Sequence, residues 1–332
     1  MVGSPKKISV VGAGAWGTTL AMLFAKNGNQ VKLWIFEKEL AKEISDLHEN
    51  KKYLPGFKLP DNISITADPG ECGGSDINLF VVPTQFLRSV AKTFSRVIDP
   101  ETPLVSASKG IEKKSLKLPM EILQEELKVK DVIALSGPNL SKEIAKGLPA
   151  ATVVASENIE KAKLVQGALM QSCLRVYTNT DALGAQIGGA LKNIMAIAAG
   201  VADGLELGDN AKSTLYIRGI AEISRLGISL GANAKTFSGL SGIGDLITTC
   251  SSRLSRNHRV GEQIAKGKKL PEIIESMVEV AEGIPTTQAA LELGKKQKIT
   301  MPITNEVNNI LYKDKDPHQA ITDLMTRAAT SE

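Results

Sequence analysis

Apolar and polar positions change rhythm as the chain is followed from its first residue. The opening run, Ile8–Val11, passes through Gly12, Gly14 and Gly17 into Thr18–Lys26, whose spacing predicts a helix with Gly28 as its C-terminal cap. Apolar runs at Val31–Phe36, Ile63–Thr66, Asp76–Pro83, Thr102–Ser108, Asp131–Pro138, Ala151–Ser156 and Leu174–Tyr177 predict strands. Helical patterns fall between them at Lys38–Leu47, Phe86–Phe94 and Ile159–Met170, with a short helix behind Pro138 and a proline-broken polar loop over 50–56. Such alternation predicts a parallel sheet covered on both faces. From about Asp181 the strand signal stops, and helices are predicted over Ile187–Val201, Thr214–Leu226, Leu254–Lys266, Pro271–Met277, Pro285–Gln297, Pro302–Tyr312 and Pro317–Arg327. Prolines open several of these, where a missing N–H does no harm. The pattern predicts an α/β fold: a doubly wound domain over 5–182, then an all-helical domain over 183–330.

Composition narrows the function classes. The 332 residues suffice for two domains with real cores, 42% are hydrophobic and 23% charged. Aromatics at 4% argue against base-stacking platforms, and a net charge of +4 is too mild for a duplex-binding protein, so no nucleic-acid partner is expected. Cys72, Cys173 and Cys250 form no CxxC pair, which fits a reducing compartment and a cytoplasmic location. Lys6-Lys7 leads straight into the first strand, so no signal peptide is expected, and Lys192 and Asn193 interrupt the one long apolar stretch, so no membrane span is expected either. HExxH, GxSxG and acidic calcium loops are missing, no triad forms around His48 or His318, and no metal is expected.

The three glycines sit where a dinucleotide fold needs them. The first permits the tight turn, the second lets a pyrophosphate approach the backbone, and the third lets helix and strand close up. The helix N-terminus then offers free N–H groups to phosphate. Phe80-Val-Val-Pro83-Thr84, Ser106-Ala-Ser-Lys109-Gly110 and Ser136-Gly137-Pro-Asn139 end strands at the edge where doubly wound folds bind ligands, although Pro and Gly also end strands for no other reason. Lys109 reads equally as a ligand contact or as solvated surface. Lys192 shares a helical face with Gly188, Gly189 and Ala196, which suits either substrate approach or a lysine snorkelling out of a helix contact. Ser238–Thr249 reads as a flexible glycine-rich entry carrying Asp245, and Arg253, Arg256, Asn257, His258 and Arg259 follow. That basic cluster suits a small phosphoester better than a polymer, or it is a solvated helix face.

In this order, Gly12-Ala-Gly-Ala-Trp-Gly17, Val82-Pro83, Lys109-Gly110, Ser136-Gly-Pro138, Gly188-Gly-Ala-Leu-Lys-Asn193, Gly244-Asp-Leu246, Thr249-Cys250, Ser255-Arg-Asn257 and Glu282-Gly283 resemble the bacterial NAD(P)-dependent glycerol-3-phosphate dehydrogenases over essentially the whole chain. The resemblance implies a Rossmann-type domain followed by a helical domain, in the 6-phosphogluconate dehydrogenase-like arrangement. It also implies reversible hydride transfer between sn-glycerol 3-phosphate and dihydroxyacetone phosphate with NAD(H) or NADP(H), feeding glycerophospholipid synthesis, in a homodimer. It matches Lys192 to the general acid/base, Lys109 to a substrate-contacting lysine near the nicotinamide, and Asp245 to a substrate-site carboxylate. Ser255, Arg256 and Asn257 match the phosphate-binding trio, and Gly137, Asn139, Asn193 and Thr249 match further substrate positions. Cofactor positions match Gly12, Gly14, Ala15, Trp16, Gly17, Phe36, Glu37, Pro83, Lys109, Ser141, Arg256, Val280 and Glu282.

A lysine suits this chemistry, because oxidising a secondary alcohol needs a base for the hydroxyl proton and reduction needs the same group as an acid. An unperturbed lysine titrates near ~10.4; a second cation such as Lys109 would lower that value and a carboxylate such as Asp245 would raise it. The chain departs from the family at Ala15 and Trp16 (often Ser and Tyr or Phe), Asn139 (often Thr) and Ser141 (often Ala). Phe36 replaces a common Arg or His, which disfavours a 2′-phosphate pocket. Glu37 suits a ribose hydroxyl, whereas Lys38, Lys51 and Lys52 suit a 2′-phosphate, so both cofactors stay open. Competing readings are a β-hydroxyacid or 2-ketoacid dehydrogenase of the same plan, set apart by Ser255-Arg-Asn257, and a dinucleotide-sensing regulator without catalysis.

Overall fold

A computed structural model describes residues 4–329. Residue 330, at the predicted end of the helical domain, lies outside them. The chain divides into two compact units: one runs through Lys109 and resumes over Lys117–Gln186, and the other takes Gly110–Leu116 and the chain from Ile187 onward.

In the first unit, β1 (Lys7–Val11), α1 (Ala15–Lys26), β2 (Gln30–Trp34), α2 (Lys38–Leu47), β3 (Ile63–Thr66), β4 (Ile77–Phe80), α3 (Thr84–Phe94) and β5 (Leu104–Ser106) follow one another. Then come α4 (Pro119–Leu127), β6 (Val132–Ser136), α5 (Ser141–Ala145), β7 (Ala150–Ala155), α6 (Ile159–Leu169) and β8 (Leu174–Asn179). The strands form one eight-stranded sheet in the order β3-β2-β1-β4-β5-β6-β7-β8. All pairings are parallel except β6 with β7, a correction to the all-parallel expectation. The reversal has a simple cause. The connection over 137–149 holds only the five-residue α5, too short a helix to carry the chain back along the length of β6 for a parallel start, and Gly147 (φ +79°) turns it into β7.

Alternation along the strands builds two cores. Val10, Leu79, Val105 and Ile133 face a cluster completed by α1, α2, α5 and α6, while Val11, Phe80, Leu104 and Val132 face another under α3 and α4. In the second cluster Phe94 meets Trp34 and Phe80 edge-on, with centroids 5.2 and 5.5 Å apart. The chain order reverses between β1 and β4, so the crevice beyond their carboxyl ends is the ligand position for this fold.

Helix α4 was not expected. Its short apolar set hides in a lysine-rich stretch, but Pro119 at its start and Glu121, which accepts from Leu118 N–H at 2.7 Å, set its N-terminus.

The second unit is helical throughout its elements: α7 (Ala182–Gly204, whose first turn belongs to the sheet unit), α8 (Gly208–Ser229), α9 (Ala234–Phe237), α10 (Asp245–Ser251), α11 (Arg256–Ala265), α12 (Leu270–Glu275), α13 (Gly283–Lys296), α14 (Pro302–Tyr312) and α15 (Pro317–Met325). α7 is the one helix among the described residues long and apolar enough to cross a bilayer, and 94% of its most apolar window is buried inside the protein. The run expected to be a flexible glycine-rich entry is helical. Leu240–Gly244 forms a π-helical turn, with Gly244 N–H on Gly239 C=O at 3.1 Å, and continues into α10.

Candidate active site

At the end of β1 the three glycines do different mechanical work. Gly12 has φ +111°, and a Cβ on it would stand 2.5 Å from Val81 O. A Cβ on Gly17 would stand 1.9 Å from Gly12 O, so this position holds the turn and α1 together. A Cβ on Gly14, by contrast, meets nothing within 4 Å. Gly14 is also the N-cap of α1, with no side-chain cap and no acidic residue in the first turn. The helix therefore presents uncapped N–H groups to open space, and Trp16 Nε1, buried and without a hydrogen-bond partner, sits in the same turn. These features suit a pyrophosphate.

After β2, Phe36 is 74% exposed and Glu37 stands 3.5 Å from Lys52, which also lies over the Tyr53 ring. Pro83 ends β4 as the N-cap of α3. Beside it, Ser108 Oγ donates to Val82 C=O at 2.6 Å and accepts from Val82 N–H at 3.2 Å, tying the ends of β4 and β5 together. Lys109 Nζ then donates to Gly137 C=O at 3.1 Å, bringing two of the expected substrate positions into contact. Gly137 has φ +136°, and a Cβ there would press on Thr152 Cα at 3.2 Å. Asn139 faces β7: its amide donates to Ala151 C=O and its carbonyl accepts from Thr152 Oγ1. Ser141 opens α5, where its C=O lies 3.4 Å from Thr19 Oγ1.

In the helical unit the proton chemistry is buried. A Cβ on Gly188 would lie 2.3 Å from Ser241 O, so only glycine lets α7 receive the π-helical turn this closely. That approach sets α10 against Lys192. Lys192 Nζ lies 2.5 Å from Asp245 Oδ1 and donates to Thr249 Oγ1 at 2.6 Å, and Thr249 Oγ1 is 3.3 Å from the same carboxylate oxygen. Lys192 is 7% exposed and Asp245 not at all. The lysine does not snorkel to the surface. Cys250 lies beneath this group; burial pushes its thiol up, against the Lys192 charge and with that of Asp245, so it stays an inert thiol.

At the next residue of α7, Asn193 Oδ1 accepts from Asn257 Nδ2 at 2.9 Å, and Asn257 Oδ1 accepts from Gly283 N–H at 2.9 Å. Ser255 is the N-cap of α11 and accepts from His258 N–H. Arg256 pairs with Glu279 at 3.1 Å. Val280 is 39% exposed, and Glu282 is the N-cap residue of α13.

Within the helical unit the structure thus joins Lys192 to Asp245 and Thr249, and Asn193 to Asn257. Glu279 was missed, since nothing in a short loop sequence marks it as the Arg256 counter-ion. The cluster Asp203, Lys212 and His258 was missed as well, being joined only by helix packing.

A sequence model described as NAD-dependent glycerol-3-phosphate dehydrogenase N-terminus matches residues 7–162, and its C-terminal counterpart matches residues 181–322. Curated relatives carry the name glycerol-3-phosphate dehydrogenase, NAD(P)+. One from Bacillus velezensis is 45% identical over 98% of this chain and 96% of its own length, and one from Geobacter sp. is 44% identical over 98% and 99%. A crystal structure of glycerol-3-phosphate dehydrogenase from Coxiella burnetii superposes with a TM-score of 0.93 at 36% identity, covering 97% of this chain and 99% of that one.

Proposed function

The chain belongs to the NAD-dependent glycerol-3-phosphate dehydrogenase family, and on that footing we propose how its residues interconvert sn-glycerol 3-phosphate and dihydroxyacetone phosphate. It is an oxidoreductase that uses NAD(H) or NADP(H). When bound, the dinucleotide supplies the hydride acceptor or donor. The open space before Gly14 and the uncapped start of α1 take its pyrophosphate. Glu37 offers an acceptor to a ribose hydroxyl and Lys52 a cation to a 2′-phosphate, which accommodates both forms of the cofactor.

The observation that carries the assignment is the buried group of Lys192, Asp245 and Thr249. In reduction, the Lys192 ammonium donates a proton to the oxygen that becomes the C2 hydroxyl. In oxidation, the neutral amine takes that proton back. Asp245 and Thr249 hold Nζ in place and keep it directed. Lys109, oriented by Gly137 C=O, supplies a second cation for the substrate, and Ser255, Arg256 and Asn257 take the phosphate, Arg256 with a two-pronged donor that must leave Glu279. Pro83, Ser141, Val280 and Glu282 complete the cofactor contacts. We place the enzyme as a cytoplasmic homodimer supplying glycerophospholipid synthesis; light scattering should give a solution mass twice that of the chain.

The test is Lys192→Ala. Dihydroxyacetone phosphate reduction should fall by at least ~10³-fold while the NADH dissociation constant changes less than ~3-fold. Turnover within ~10-fold of the parent would remove Lys192 from the reaction.

A further inference from the structure

His258 is 1% exposed and reaches across from α11 to the end of α7, where its Nε2 lies 2.8 Å from Asp203 Oδ2. Its other ring nitrogen, Nδ1, has no hydrogen-bond partner and stands 3.8 Å from Glu262 Oε2. Asp203 is held from the third side by Lys212 Nζ on α8, at 3.1 Å. Burial pushes the Asp203 carboxyl up, but the hydrogen bonds from His258 and Lys212 together outweigh this and leave it below the ordinary carboxylate range.

The two helices touch along a strip of small residues. A Cβ on Gly200 would stand 1.9 Å from His258 O, one on Gly261 2.0 Å from Ile197 O, and one on Gly204 2.6 Å from Ala265 Cβ. Such a strip brings backbones close but has no knobs to stop one helix sliding or turning on the other. Directional bonds must set the register, and two do so: Asn257 to Asn193 and His258 to Asp203. Asn193 and Asp203 are ten positions apart on α7, or ~15 Å of axial rise. Both ties leave adjacent residues at the start of α11 and end that far apart on α7, so together they fix where the start of α11 sits along α7, which one tie alone would leave free to shift.

We propose that His258 is a positioning residue for the reaction. By anchoring on Asp203 it holds the Ser255-Arg256-Asn257 turn in register with Lys192, so that the phosphate grip and the proton-transfer group stay at a fixed spacing. This rests on the assignment of that turn to the substrate phosphate. The ring itself touches no reacting atom.

The experiment is steady-state kinetics of the full-length enzyme with NADH and dihydroxyacetone phosphate. His258→Leu should raise the KM for dihydroxyacetone phosphate on the order of 10-fold, with the KM for NADH within ~2-fold and kcat within ~3-fold. Asp203→Ala removes the same tie from the other helix and should reproduce the split. His258→Gln keeps an amide N–H for Asp203 and should recover most of the loss. A plain stability role would move only the melting temperature. Phe24→Leu, in the sheet unit, therefore serves as a destabilised control that should leave both KM values unchanged. An unchanged KM for dihydroxyacetone phosphate in both His258→Leu and Asp203→Ala, or an equal rise in Phe24→Leu, overturns the proposal. Arg256→Ala runs alongside. If it raises that KM and the other two do not, this inference alone fails; if it also leaves KM unchanged, the phosphate assignment has failed.

Discussion

Burying an ammonium group is unfavourable by several kcal/mol unless an opposite charge and further hydrogen bonds accompany it. Lys192 has both, from Asp245 and Thr249, at the centre of an apolar helix. Asp245→Ala should therefore destabilise the protein by about 3–5 kcal/mol, because it leaves a lone buried cation. Lys192→Met on top of Asp245→Ala should return a large part of that, as urea midpoints would report. If the double variant is no more stable than Asp245→Ala, the pair carries no coupling. Arg256 presents the opposite situation. Arg256 is 41% exposed and Glu279 28%, so the pair lies at the surface and is worth ~0–1 kcal/mol, yet it competes with the substrate phosphate for the same guanidinium. Glu279→Gln should lower the KM for dihydroxyacetone phosphate by up to ~5-fold at low salt, and the gain should shrink as salt rises. The residues that form the lysine centre were legible because glycine, lysine and aspartate stood in recognisable strings. The Glu279 pairing was not legible, since an ion pair between a helix start and a loop has no local pattern.

At the scale of elements, the strand–turn–helix at the front of the chain separates fold from function within a single motif. Gly17→Ala drives a methyl group to 1.9 Å from Gly12 O and must force β1 and α1 apart. Gly14 has φ −64° and ψ 177°, ordinary for any residue, and open space before it. Gly14→Ala should therefore keep its stability within about 1 kcal/mol of the parent yet bind NADH at least ~10-fold more weakly. Isothermal titration and thermal melts separate the two effects. A large loss of stability in Gly14→Ala, or unchanged NADH affinity, contradicts this division. Elements with long periodic stretches were legible, as α1, α2, α7 and α14 show, with ends shifted by a few residues where caps rather than periodicity decide them. What the pattern did not reveal had no periodicity to offer. α4 is short and flanked by lysines, β7 pairs antiparallel after a connection whose one helix has five residues, and the π-helical turn depends on contacts far apart in sequence, with Gly188 of α7 against Ser241 O and Gly242 against Phe237.

At the scale of the whole molecule, one buried and one half-buried carboxylate in the helical unit tilt its stability against pH in opposite directions. Glu222 is fully buried and accepts from Ile303 N–H, Thr304 N–H and Thr304 Oγ1 at the start of α14; burial dominates and pushes its carboxyl up despite those bonds. A raised acid binds its proton more tightly folded than unfolded. Its contribution is thus complete below the unfolded value near ~4.3 and is lost as pH rises through the folded value. Asp203 is the reverse: lowered when folded, it contributes above ~3.9 and loses that contribution as pH falls through its folded value. Glu222→Gln should therefore flatten the decline in stability from about pH 4.3 upward, and Asp203→Asn the decline below about pH 3.9. The slope rather than the absolute midpoint is the reading, since either change also alters hydrogen bonds. Both tryptophans, Trp16 and Trp34, lie in the sheet unit, whereas helical ellipticity comes from both units. The changed slopes should appear in the ellipticity midpoint while the tryptophan fluorescence midpoint keeps its parent pH profile. A fluorescence profile that follows each variant step for step would mean that the two units unfold as one, with these carboxylates acting on the entire chain.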